Sequence, residues 1–310
     1  MGQAPVIVRG LYSDLFSASM LPVLEELFRS TIALSPPVMD QAFAQRSTER
    51  DIWQYTELGD LPLHSELDEG DQFSFFSMAQ GSDKTLVVKK FGLGASISEE
   101  AMRDGKFDLV SLAIQHMARS ARESKEIRRA NIFNNGFTSE TTADGQPIFD
   151  QAHIKPLGGT FRNELAVAAD LSQSTLDTAL VDFRTQFTSD NGLINMIQPR
   201  ILLVPPQLER QSKELIGSQL KPETANNDLN AFLEDGLRVV VSPHLTDTDA
   251  WFILADPDSI PTPALVVVDR EGVQTKSEEE FDTDSIKYKS KYREVVAGLH
   301  GYGIFGSPGA

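Results

Sequence analysis

The chain is 310 residues long, enough for two domains and a sizeable core. Its 45 acidic against 28 basic residues leave a formal charge of −17, so nucleic acid and anionic membranes repel it unless its cations are concentrated locally. Cysteine is absent, which excludes disulfides and thiol chemistry, and with five scattered histidines and no apolar run near 18 residues the expectation is a soluble, non-exported chain without a zinc cluster.

Residues 1–50 read as an extended arm rather than a compact domain. A short helix is expected around Met20–Ser30, with Leu21, Leu24, Leu27 and Phe28 on one side and Pro22 early, and Ser35-Pro36-Pro37 ends it. From Asp40 to Asp71 nine acidic residues stand against only Arg46 and Arg50. Phe73, Phe75, Phe76 and Met78 then lead through Ala79–Asp83 to Thr85–Phe91, which predicts a long β-hairpin turning near Gly81. Both of its faces carry apolar residues, and a two-stranded ribbon is marginal alone. It therefore needs cover from the body or from a neighbouring chain.

The strongest helix runs from about Glu99 to Phe133, capped near Ser98-Glu99-Glu100-Ala101 and interrupted at Gly105. Phe107, Val110, Ile114, Met117 and Ala121 form its apolar stripe, and the rod from Phe107 is roughly 40 Å long. Its second half carries Arg119, Arg122, Lys125, Arg128 and Arg129 against Glu123 and Glu126. Two readings stay open for this basic face. It is either a solvated flank with internal salt bridges, or a contact for acidic segments of the same or an adjacent chain.

Asn134–Phe137 stops the helix, and Asp144-Gly145 marks a tight turn. Helices are expected over Ser174–Ser189, where Leu176, Leu180, Phe183 and Phe187 share a side, and over Gln207–Leu215. Strands at Ile201–Val204, Leu237–Ser242 and Trp251–Leu254 complete a mixed α/β unit over 165–260. The tail returns to strand in Ala264–Val268. Beyond the acidic stretch Glu278–Asp284, Lys287, Lys289, Lys291 and Arg293 alternate with Tyr288, Ser290, Tyr292 and Glu294, a half-exposed strand.

No motif specifies chemistry. Gly301–Gly306 matches G-x-G-x-x-G, but only four residues follow it, too few for the helix a dinucleotide site needs. His244, Asp247 and Asp249 are the densest metal-like group and read as the rim of a solvent-facing loop. His116, His153 and His300 have no neighbour at a spacing that specifies a triad, and Trp53 and Trp251 read as core or interface anchors. The expectation is no catalytic, cofactor-binding or metal site. An arm, a ribbon, a very long helix and an α/β unit bury most surface inside an assembly, lying across neighbours.

The ordered set Lys89-Lys90-Phe91-Gly92-Leu93-Gly94, Ile97–Glu100, Arg129–Phe137, Asp144–His153, Asn163-Glu164-Leu165, Ala169–Ser172, Pro199–Pro206 and Thr246–Asp258 resembles the tailed-phage major capsid protein family with the HK97-type fold. The resemblance covers about two thirds of the chain; no single motif in it is decisive. It implies an α+β chain with an N-terminal arm over 1–50, an extended β-hairpin E-loop over 51–95, and a peripheral domain with its spine helix over 96–164. An axial domain would span 165–260 and a return to the peripheral domain 261–310. It also implies a structural, non-enzymatic subunit, without cofactors, that self-assembles as homo-hexamers and homo-pentamers into an icosahedral shell around double-stranded DNA. That DNA would be held without sequence-specific contacts.

Scaffolding, portal and possibly cement or decoration proteins are the implied partners, with no membrane. Assembly would begin in the host cytoplasm and end in the virion capsid. Met1 favours scaffolding supplied as a separate protein. The candidate inter-subunit contacts are Glu66, Asp68, Glu69, Phe73 and Phe75 on the ribbon and Arg119, Arg122, Lys125, Arg128 and Arg129 on the helix, with charge reversal at Arg122 and Arg129 expected to block assembly but not folding. An encapsulin-like compartment and a metal-dependent enzyme of different fold are the alternatives.

Overall fold

The structure, a computed structural model, describes residues 25–32, 37–70, 72–98, 107–187, 197–218, 232, 236–260, 262–280 and 285–310. The chain divides into two units. The first comprises Met1–Pro37, Lys89–Lys125 and Glu271–Arg293, the second Val38–Val88, Glu126–Arg270 and Glu294–Ala310.

The second unit is organised by a four-stranded sheet. Strand β7 (Pro199–Val204) runs parallel to β8 (Arg238–Val241) and antiparallel to β9 (Trp251–Ala255), whose other edge pairs with β12 (Ile304–Ser307). Ile201 to Val204 are all buried because both faces of this sheet are covered. Period-two alternation sends Leu202, Val204, Trp251, Ile253 and Phe305 to one side, against Leu176, Leu180 and Phe183 of helix α2 (Gln173–Thr185). Ile201, Leu203, Phe252 and Leu254 go to the other side, against Phe43, Phe133, Phe149 and Val267. Helix α2 starts where the sequence lets it. Ser172 accepts the N–H of Thr175 while the Thr175 hydroxyl accepts the N–H of Ser172, a closed capping box.

Helix α1 (Phe107–Asn134) is 28 residues long and passes through both units. Ile114, Met117 and Ala121 are buried at the expected spacing. The Phe107 and Val110 side chains, the cap at 99–101 and Gly105 lie outside the described residues, as do residues 20–24 of the expected arm helix, of which 25–32 are helical. In the first unit Ile114, Met117 and Ala118 of α1 pack with Phe28 and Tyr288. The helix ends because Asn135 O accepts the N–H groups of Thr138, Ser139 and Glu140. Gly136 follows at a close approach. A Cβ there would lie 2.8 Å from the Phe149 ring and 2.9 Å from Ile132 O.

Two long strands, β10 (Leu265–Glu280) and β11 (Ser285–Gly298), also run through both units. Strand β1 (Ala44–Ser47) lies parallel to the β10 end in the second unit, with Ala44 beside Val266. Strand β4 (Lys89–Ser98) lies beside β11 in the first. Residues 281–284 of the expected acidic stretch are outside the described residues.

The hairpin differs from expectation. Its strands are β2 (Ile52–Leu58) and β3 (Gln80–Val87), paired antiparallel with Trp53 opposite Leu86 and Tyr55 opposite Lys84. Phe73–Met78 is not its first strand, and Gly81 lies inside β3 rather than at a turn. The aromatic run has strand-like composition, but Phe73, Phe75, Phe76 and Met78 are exposed. In β2, by contrast, Tyr55 and Glu57 are buried and Trp53 half-buried, which supplies the inward face that fixes a register. The described residues between 59 and 79 form an irregular connection.

Candidate assembly surfaces

The ribbon is anchored at its root. Trp53, Tyr55 and Leu86 pack with Val266, Val268, Ala297 and Leu299. Lys84 Nζ donates to Gly298 O at 2.9 Å and also to Thr141 O. Burial lowers the Lys84 ammonium below its ordinary range, opposed by Glu140 and Asp144. Burial together with the Glu57 charge pushes the Tyr55 phenol up.

Beyond Leu58 the character reverses. Leu63 is 68% exposed, Phe73 73%, Phe75 95% and Phe76 63%. Glu66, Asp68 and Glu69 are exposed among them. Three large aromatic side chains this open within four residues, preceded in the chain by three exposed acids, are of the kind that marks a protein–protein contact.

The basic residues of α1 separate into two groups. In the second unit, Arg129 is buried and pairs with Asp40, while its Nη2 lies 3.8 Å from Glu294 Oε2. Arg128 donates through Nε at 3.2 Å and Nη2 at 2.6 Å to the Oε1 atom of the same buried Glu294. Glu126 accepts the Met39 N–H on both carboxylate oxygens, at 3.2 and 3.3 Å. Burial raises the Glu126 carboxyl above its ordinary range against the pull of that N–H and of Arg129. In the first unit, Arg119 is exposed, Arg122 pairs with Glu123 at 3.1 Å, and Lys125 sits 5.0 Å above the Tyr292 ring. Internal pairing thus accounts for Arg128 and Arg129. Their acidic partners include Asp40, a member of the acidic segment of the same chain. A reversed charge at Arg129 would stand buried beside Asp40 and Glu294, so that substitution damages the fold before it tests assembly.

Sequence reasoning missed a buried polar hub in the second unit. His153 Nδ1 lies 2.8 Å from Asp144 Oδ2, and its Nε2 lies 3.2 Å from Ile148 O. Asn163 Nδ2 donates to Ile148 O at 2.7 Å and to Gly301 O at 3.3 Å. Burial pushes the Asp144 carboxyl up, but hydrogen bonds from His153, Thr142 and the Gln146 N–H outweigh it and hold it below its ordinary range. Both His153 nitrogens face acceptors on neighbouring loops, so the ring fastens those loops together. The Asp144-Gly145 turn, with Gly145 at φ +82°, and the segments carrying His153 and Asn163 were visible in advance, but not the contacts that join them.

Asp247 Oδ1 accepts the Asp249 N–H at 3.1 Å, and Asn134 at the end of α1 holds the loop through His244 O and the Thr246 N–H. Among the described residues no group of three or more His, Asp or Glu side chains is placed to hold a metal ion. Gly303, at φ +78°, turns the chain into β12, a strand where a dinucleotide fingerprint requires a helix. An open groove of about 580 Å³ beside helix α3 (Glu209–Gly217) is lined by Glu209, Arg210, Lys213 and Glu214. Its charges pair along the helix, Arg210 with Glu214 at 2.8 Å and Lys213 with Glu209 at 2.5 Å, and converge on nothing.

A long helix, a ribbon rooted in a mixed body and a sheet covered on both faces define the HK97-type capsid fold. Solved structures share it. The virus-like particle of Pyrococcus furiosus aligns with a TM-score of 0.55 at 12% identity, over 93% of this chain and 99% of that one. The bacteriophage JBD30 procapsid aligns at 0.54 and 15%, over 97% and 76%. The mature capsid of bacteriophage PhiM1 aligns at 0.56 and 13%, over 87% and 86%. No curated protein matches the chain. The chain belongs to the phage capsid protein family, whose model matches residues 82–304. It is a structural major capsid protein of a phage head.

Proposed function

We propose that the chain builds its shell as homo-hexamers and homo-pentamers around double-stranded DNA, with the ribbon beyond Leu58 as the main contact between copies. The observation that carries this is the exposed Phe73–Phe75–Phe76 cluster on a firmly rooted ribbon. On this reading residues 1–50 are the arm, 51–95 the E-loop, 96–164 and 261–310 the peripheral domain, and 165–260 the axial domain. Scaffolding and portal proteins, and a decoration protein where one exists, are its partners. The subunit assembles in the host cytoplasm and has no catalytic role or cofactor. The charge of −17 limits adhesion between the packaged DNA and the wall. DNA retained on opened shells should therefore stay low and change little with added salt.

Glu66, Asp68 and Glu69 on one copy meet Arg119 and Arg122 on another, with Lys125 beside them. Arg128 and Arg129 support that face from within the fold. The test is the pair Phe73→Ser with Phe75→Ser, made in chains co-expressed with scaffolding and followed by light scattering and electron microscopy. Folded subunits with an unchanged melting temperature that no longer form shells are expected. Normal shells from this variant would remove the ribbon from the contact. Particles that package protein rather than DNA would point to a protein compartment of the same fold.

A further inference from the structure

The ribbon root contains a buried histidine with an unusual setting. His300 is 6% exposed. Its Nε2 lies 2.8 Å from Thr262 O, an acceptor, so Nε2 carries a proton and donates. Its Nδ1 accepts the Tyr302 N–H at 3.2 Å, so Nδ1 carries none. Both contacts together specify the neutral ring. Tyr55 of β2 packs on that ring with centroids 6.1 Å apart, and Tyr302 packs on it at 5.6 Å. The Tyr55 partner across the ribbon is Lys84, and Lys84 bonds Gly298 O, two residues before His300. One cross-strand pair therefore fastens both ribbon strands to the segment 298–300.

We propose that His300 is an acid-sensitive catch: protonating its Nδ1 removes the acceptor of the Tyr302 N–H, places a charge in an apolar site, and loosens the root of the ribbon. The groups facing the ring are Tyr55 from β2, whose phenol feels the Glu57 charge, Tyr302, and electrostatically His153 and Asp144. The Asp144 carboxylate is engaged by the His153 ring. Burial lowers the imidazole from 6.5 to about 4, with the Thr262 carbonyl opposing and the His153 charge adding to the fall. The sign follows. Between 6.5 and about 4 the loosened state binds a proton that the closed state refuses, so acid favours loosening across that window and no further below it.

The test uses the full chain as unassembled subunits. Amide exchange over 52–58 and 80–87, corrected for intrinsic pH dependence, is compared between the natural chain and His300→Gln, whose amide still donates to Thr262 O. In the natural chain the opening constant of these amides should rise on the order of a hundredfold from pH 6.5 to 4, while in the variant it stays nearly flat. The same acid response in both would overturn the catch. If the variant does not fold, ring-nitrogen NMR of the natural chain decides. A His300 ring that stays neutral at pH 5 supports the catch, and one half-protonated near 6.5 overturns it.

Discussion

At the scale of single residues, the structure separates positions that hold the subunit from positions free to meet other molecules. Arg129 belongs to the first kind. Removing it takes the buried guanidinium away from Asp40 and from Oε2 of Glu294, whose Oε1 Arg128 still holds, so Arg129→Ala should cost about 3 kcal/mol in chemical denaturation. Gly136→Ala forces a methyl group against the Phe149 ring at 2.8 Å and should cost about 1–3 kcal/mol by the same measurement. Asp144 makes a pH-dependent contribution. Its carboxyl is held low, so its stabilisation is complete above the ordinary value of 3.8 and fades as pH falls through the folded value. Asp144→Asn should therefore be less stable than the natural chain at pH 7, with the gap narrowing as pH falls below 3.8. A gap that does not depend on pH would contradict the ionic role.

At the scale of elements, periodic segments were the legible ones. The α1 stripe of Ile114, Met117 and Ala121 and the apolar runs at 201–204 and 251–254 express burial directly in the residue order. Ile114→Ala should lower stability by about 2–5 kcal/mol, whereas Leu112→Ala, at a 48% exposed position, should change it by less than about 0.5 kcal/mol. The ribbon was legible only in part. Of its expected second strand, Thr85–Phe91, only Thr85–Val87 lies in β3, while Lys89–Phe91 belongs to β4, and the first strand was placed on the aromatic run at 73–78. Aromatic residues favour strands in general, and a sequence does not distinguish an aromatic left exposed by its own chain from one facing the core. The charged face of α1 was legible only as a run of like charges, with both readings of it open. Arg119 and Arg129 look alike in sequence, and only tertiary placement buries one beside Asp40 and leaves the other exposed. The His153–Asp144 pair is assembled across a loop with no periodicity to announce it.

At the scale of the whole molecule, the fold class followed from an ordered series of segments, and the match to the phage capsid protein family over residues 82–304 gives the chain its structural role. The ribbon is held at its root through Tyr55, Leu86 and Lys84 and exposes Phe75 at 95%, so on the proposed contact its stability lies on one side and its function on the other. The two should separate under mutation: root substitutions should lower the melting temperature, and ribbon-tip substitutions should spare it. The most direct test of the central claim is cryo-electron microscopy of particles formed by the chain with scaffolding supplied. The account predicts closed shells of six-fold and five-fold capsomers, with Phe73 and Phe75 of each copy buried against another. A chain that stays monomeric under those conditions, or shells in which those aromatics remain exposed to solvent, would contradict it.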